Sequence, residues 1–232
     1  MIESYETRSG REAMLGFGPA GGPVAVVALP LFEEANRVRA FAVAICRALA
    51  RRGVASLLPD VPGQGESVVP LEQCGIRDFS DGYARAVQQE LVAGRRPYGV
   101  AIRSGALLDT QAALAGRWHL APQDGASLLR DLKRIKQAGA KPGEILSLDG
   151  GAPIEIAGNR LSPDLLSTLP SHALRTAQDG SVRIVRLETD REPADRHVPG
   201  APLWRRAEPD TDLALATILA DDIADWIAAC DA

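Results

Sequence analysis

The stretch Gly99-Val100-Ala101-Ile102-Arg103-Ser104-Gly105-Ala106 has the pattern of a strand that runs into a sharp turn and then a helix. In the G-x-S-x-G arrangement the third position projects a nucleophilic hydroxyl from that turn. Here the five places hold Ala101, Ile102, Arg103, Ser104 and Gly105, so a guanidinium stands where the hydroxyl would be. It stays protonated at physiological pH and cannot attack a carbonyl.

The flanking sequence alternates between two kinds of segment. Val24 to Leu29 is a continuous apolar run, and Val38, Phe41, Ala42, Ile45 and Leu49 follow at helical spacing until Gly53. Val54 to Leu58 reads as a second strand entering Pro59-Asp60-Val61-Pro62-Gly63-Gln64-Gly65. Ile76, Phe79, Tyr83, Val87 and Leu91 mark a helix ending near Gly94, before a strand at Tyr98 to Ile102. Trp118 to Leu120 is a short strand, and Leu128, Leu129, Leu132 and Ile135 form a further helical face. Val182 to Leu187 is a strand, Arg191 to Pro202 a long loop, and Leu215, Leu219, Ile223, Trp226 and Ile227 one side of a C-terminal helix. Apolar strands alternating with helices imply an α/β fold, a mostly parallel sheet covered on both faces.

Between residues 141 and 177 the alternation breaks. Glu144 to Leu148 and Ala152 to Ala157 flank Asp149-Gly150-Gly151 as a hairpin would, and Pro163 to Leu169 reads as a short helix. We expect a single domain over 1–232 with a lid-like insertion at 141–177.

The 232 residues carry a formal charge of -4, with 46% hydrophobic and 24% charged residues. That balance gives no basic field for nucleic acid. The N-terminus from Met1 to Met14 is polar and lacks the apolar core of a signal segment, and no apolar run suits a membrane span, so the expected location is cytoplasmic. Cys46, Cys74 and Cys230 lie far apart without metal-ligand spacing, so no metal or cofactor is expected. Gly63-Gln64-Gly65 lacks the third glycine of a dinucleotide motif and reads as a turn.

Several segments together resemble the α/β-hydrolase superfamily, and within it the hydrolase-like proteins associated with bacterial exosortase systems. They are Leu29-Pro30-Leu31-Phe32-Glu33-Glu34-Ala35-Asn36, Leu58 to Ser67, the elbow at Arg103, and Leu120-Ala121-Pro122 leading to Leu128-Leu129-Arg130-Asp131-Leu132. Ile156 to Ser162 and Gly200-Ala201-Pro202-Leu203-Trp204 extend the likeness over most of the chain. The resemblance implies an α/β-hydrolase fold and a link to exopolysaccharide or protein-sorting loci.

A hydrolase of this kind needs a nucleophile, then an acid, then a histidine in chain order. Ser104, Asp190 and His197 are the candidates, although Ser104 also suits a helix-start role. His119 and His172 are expected to be structural. Arg103 at a helix N-terminus beside backbone N–H groups would form an anion site. Alternatively Glu33 or Glu34, in the loop after the first parallel strand, would neutralise it. Phe32, Glu33, Glu34, Asn36, Arg103 and Ser104 therefore form the expected ligand-binding or degenerate site. Three functions stay open: a noncatalytic protein binding an anionic or carbohydrate-derived ligand or a protein partner, an atypical ester or amide hydrolase, and a scaffold with a filled ancestral site.

Overall fold

The computed structural model describes residues 1–139, 151–175 and 182–231. In chain order the strands and helices are β1 (Ile2–Thr7), β2 (Gly10–Phe17), β3 (Val24–Ala28), α1 (Glu33–Arg51), β4 (Ala55–Pro59), α2 (Ile76–Val92), β5 (Pro97–Ile102), β6 (Arg117–Leu120), α3 (Gly125–Ala138), β7 (Ile154–Ile156), β8 (Asn159–Leu161), α4 (Pro163–Thr168), β9 (Val182–Leu187), β10 (Arg196–Val198) and α5 (Leu213–Asp231).

Eight strands form one sheet in the order β1-β2-β4-β3-β5-β6-β9-β10. All pairs from β4 to β10 are parallel, whereas β1 and β2 add an antiparallel ribbon at one edge. Residues of β3 show how the sheet is covered. Ala25 and Val27 pack with α1 and α5, while Val26 and Ala28 pack with α2, α3 and α4. A strand buried on both faces has no polar side to expose, which explains the unbroken apolar run.

The N-terminal ribbon departs from the expectation of a polar terminus over Met1 to Met14. Tyr5 and Met14 are its buried hydrophobic residues, Glu12 is a buried charged one, and most other positions are partly or fully exposed, so its strands carry little apolar signal. The loop expected from Arg191 to Pro202 also contains a strand, β10, which adds three residues in parallel to β9. In the inserted region β7 pairs with β8 about Ala157 and Gly158, both in the left-handed region with φ 49° and 78°. The expected strand at Glu144 to Leu148 lies outside the described residues. Ile156, Leu161, Leu165, Leu166 and Leu169 of this region join the apolar cluster beneath α2 and α3.

The sheet order places β3 between β4 and β5. Helix α1 leads from β3 to β4 on one side, and the chain then returns through α2 to β5 on the other. The loops after β3 and β5 therefore part from each other, leaving the crevice at which open α/β sheets bind ligands. Phe32 and Arg103 stand on its two sides.

Candidate functional site

Arg103 follows directly on β5 and has φ 55°, a left-handed value that costs a residue with a side chain of order 1–3 kcal/mol. Gly105 is required two residues later, because a Cβ there would lie 2.4 Å from the Ala28 carbonyl oxygen and 2.6 Å from that of Leu29. The tight turn of the elbow is thus present. The helix expected beyond it is not: a 3-10 turn at Arg103–Leu107 is all that follows before irregular chain leads to β6. Arg103 accordingly does not stand at a helix N-terminus, and the anion site cannot draw on a helix dipole.

The guanidinium is largely enclosed, with 12% of the side chain exposed. Its Nε donates to Glu34 Oε2 at 3.2 Å and one Nη to Glu34 Oε1 at 3.4 Å. Asp131 Oδ2 and the Ala121 carbonyl oxygen each lie 3.5 Å away, and the guanidinium carbon sits 5.2 Å from the centre of the Trp204 ring. Asp131 also accepts from Gln123 Nε2 and Arg134 at 2.7 Å each. Burial lifts the Glu34 carboxyl above its ordinary pKa, and the Arg103 charge and hydrogen bonds offset that only in part.

Glu33 and Glu34 belong to the first turn of α1 rather than to a loop, where carboxylates suit the positive end of the helix dipole. Only Glu34 reaches Arg103. Glu33 instead pairs with Arg37 one turn along at 3.2 Å, and Arg37 in turn reaches the Trp204 carbonyl oxygen at 3.3 Å. Asn36, in the same helix, is exposed.

Ser104 is fully buried and its Oγ accepts the Leu31 N–H at 2.9 Å. It does not start a helix; it ties the β5 turn to the loop after β3. The next N–H in that loop, from Phe32, is taken by Gln64 Oε1 at 3.0 Å. Two donors that could stabilise a negatively charged reaction intermediate are therefore engaged inside the protein. Phe32 itself has φ 62° and packs edge-on against Phe79, with ring centres 6.1 Å apart.

Asp190 and His197 do not assemble with Ser104. Asp190 accepts from Arg186 at 2.7 Å and from the Glu192 N–H at 3.1 Å. Burial acts to raise its pKa, but these bonds, with the nearby Arg186 and His197, hold the carboxyl below its ordinary value. His197 lies exposed in β10, its Nε2 3.2 Å from the Glu192 carbonyl oxygen. His119 is buried in β6, 2.8 Å from Asp109 Oδ2, and the His172 backbone bonds Gly125 and Leu169. Burial also raises the thiols of Cys46 and Cys74 to about 11, which disfavours the thiolate needed for attack.

Among the described residues, two cavities open at this end of the sheet. One, of about 160 Å³, is walled by Arg103, Ala121, Asp190, Arg191, Trp204 and Arg205, among others. The other, of about 270 Å³, lies between the loops after β3 and β4 and includes Phe32, Asn36 and Gln64 in its wall. Gln64, Asp131 and Trp204 were absent from the site expected from sequence, although all three fall in segments that carry the family resemblance. Among the described residues, no cluster of three or more His, Cys, Asp or Glu could hold a metal ion, and no helix is long and apolar enough to cross a membrane.

No protein-family model and no curated protein matches the sequence. Solved structures do match the fold. Est1E from Butyrivibrio proteoclasticus superposes with a TM-score of 0.59 at 12% identity, over 99% of this chain and 98% of that one. XC6422 from Xanthomonas campestris, described as an a/b serine hydrolase without lid, gives 0.55 at 12% identity over 97% and 94% of the two chains. Mouse alpha/beta hydrolase domain-containing protein 10 gives 0.57 at 15% identity over 98% and 99%. The chain has the α/β-hydrolase fold.

Proposed function

We propose that this protein uses the α/β-hydrolase fold for binding rather than for covalent catalysis, with Arg103 as the recognition group for a small anionic ligand. The carrying observation is the enclosure of Arg103 by Glu34 and Trp204 beside a cavity of about 160 Å³. A guanidinium held by a carboxylate and stacked on an indole is fixed in direction, which suits it to bind a carboxylate or phosphate. Arg191 and Arg205 add positive charge to the same wall, which also carries the Asp190 carboxylate.

The cavity volume favours a small acid or one charged group of a larger molecule, including an acidic carbohydrate derivative or a side chain of a protein partner. Enzymatic hydrolysis has less support: Ser104 is buried and bonded to Leu31, and His197 makes its contact with Glu192. The exosortase connection belongs to the same proposal and rests on sequence resemblance alone. A cytoplasmic setting belongs to the same proposal.

Titration with acetate and inorganic phosphate, followed by calorimetry, tests the reading. The native protein should bind one of them, and Arg103→Gln should weaken it about tenfold, the effect of losing roughly 1.4 kcal/mol of charge-assisted bonding. Equal binding by the native and variant proteins would contradict the assignment.

A further inference from the structure

The cavity of about 270 Å³ between the loops after β3 and β4 has a different chemistry from the Arg103 cavity, and none of its lining residues is shared with it. Its size is just below the range of about 300–1,000 Å³ typical of small-molecule sites. Pro30, Leu31, Phe32, Val61 and Leu108 supply apolar wall. Its charges are largely cancelled: Arg39 grips Asp60 through two hydrogen bonds, of 2.6 and 3.2 Å. The remaining charge on the rim is Glu66, which disfavours an anion.

Gln64 supplies the directional group. The Phe32 N–H requires an acceptor, so Oε1 must face it and the amide orientation is fixed. That leaves Nε2 enclosed with no acceptor among the described residues. A buried donor without a partner is costly, and a ligand acceptor would remove the cost. Phe32, whose N–H fixes the amide, is also one of the residues held at positive φ, and such strain concentrates at ligand clamps.

We infer that this cavity is a second binding site, for a small uncharged carbonyl compound such as an amide, whose oxygen accepts from Gln64 Nε2 while its apolar body packs against Phe32 and Leu108. This site stands independently of the anion reading at Arg103.

The test compares benzamide, benzoate and benzamidinium, three probes of one shape and different charge, by ligand-observed NMR titration at millimolar concentrations. Benzamide should bind at least about fivefold more tightly to this site than either charged analogue, the effect of one satisfied hydrogen bond. Gln64→Glu keeps an acceptor for the Phe32 N–H but removes the donor, so it should weaken benzamide about fivefold or more. Ala35→Phe projects a ring from the cavity wall and should abolish benzamide binding by filling the space. Circular dichroism and thermal unfolding establish that each variant is folded. Benzoate bound at Arg103 would be unaffected by either change and lost in Arg103→Gln, so the two sites fail or succeed separately. No benzamide binding, or benzamide binding untouched in folded Gln64→Glu and Ala35→Phe proteins, would overturn the inference.

Discussion

Replacing Glu34 by glutamine leaves Arg103 enclosed but removes the charge that faces it. The native pair makes two charge-assisted hydrogen bonds, at 3.2 and 3.4 Å, both longer than the best of their kind. Breaking a fully buried pair costs about 3–5 kcal/mol. Here Asp131 still lies 3.5 Å from the guanidinium, 18% of the Glu34 side chain is exposed, and glutamine retains one acceptor. The expected loss is therefore about 2 kcal/mol. With a denaturant slope of about 2–3 kcal/mol per molar urea, the unfolding midpoint should fall by about 0.7–1 M with the slope unchanged. Arg103→Met combined with Glu34→Met should recover most of that stability, because neither charge is then stranded. The double-mutant cycle should give a coupling energy of about 2 kcal/mol. A midpoint shift below about 0.2 M, or simple additivity of the two single methionine variants, would refute this account of how the elbow tolerates arginine.

Ser104→Ala should lower the melting temperature by about 3–10 °C in calorimetry, since the buried Leu31 N–H loses its acceptor at a cost of about 1–3 kcal/mol. Arg103→Ser should yield no esterase turnover above background with p-nitrophenyl acetate, because the new hydroxyl has no positioned histidine and the Leu31 and Phe32 donors are engaged. Asp222 anchors α5 to the sheet by accepting from Trp118, Arg183 and Arg196 at 2.6–2.8 Å. Burial opposes its ionisation, but these bonds prevail and hold its pKa at about 2, below the ordinary 3.8. Its contribution of at most about 2 kcal/mol should be complete above pH 3.8 and disappear as pH falls towards 2. Asp222→Asn should therefore lower urea stability at pH 7 and flatten its acid dependence over that interval.

The parallel part of the sheet was legible because its strands are buried on both faces, and uninterrupted apolar runs such as Val24 to Ala28 result. The β1–β2 ribbon escaped notice because its inward positions are few and its outward ones polar. Strand β10 is only three residues long and lies among prolines, so its pairing with β9 is a tertiary fact rather than a local preference. The helix expected after the elbow fails for a comparable reason. Residues 105–115 contain alanine and leucine, but Leu107 and Leu108 are drawn into the core beside Ala112, and the chain turns instead of continuing.

At the site, Arg103 and a nearby glutamate could be read from order along the chain, because the loop after β3 faces the elbow in folds of this type. Choosing Glu34 over Glu33 required the helical phase of α1, which turns Glu33 towards Arg37. Asp131, on α3, and Trp204, after β10, are 28 and 101 residues from Arg103 in sequence, and only the tertiary packing brings them together. Gln64 looked like one residue of a glycine turn; its importance comes from the Phe32 N–H, a partner 32 residues away.

The most direct test of the proposal that the elbow is noncatalytic is exposure of the native protein to a fluorophosphonate probe, followed by peptide mass spectrometry across residues 97–117. Ser104 is buried and engaged by Leu31, so the account predicts no adduct on it in the folded protein, with labelling of a catalytically competent serine hydrolase as the positive control. A stoichiometric adduct on Ser104 would contradict the account, because it would make that hydroxyl both accessible and nucleophilic.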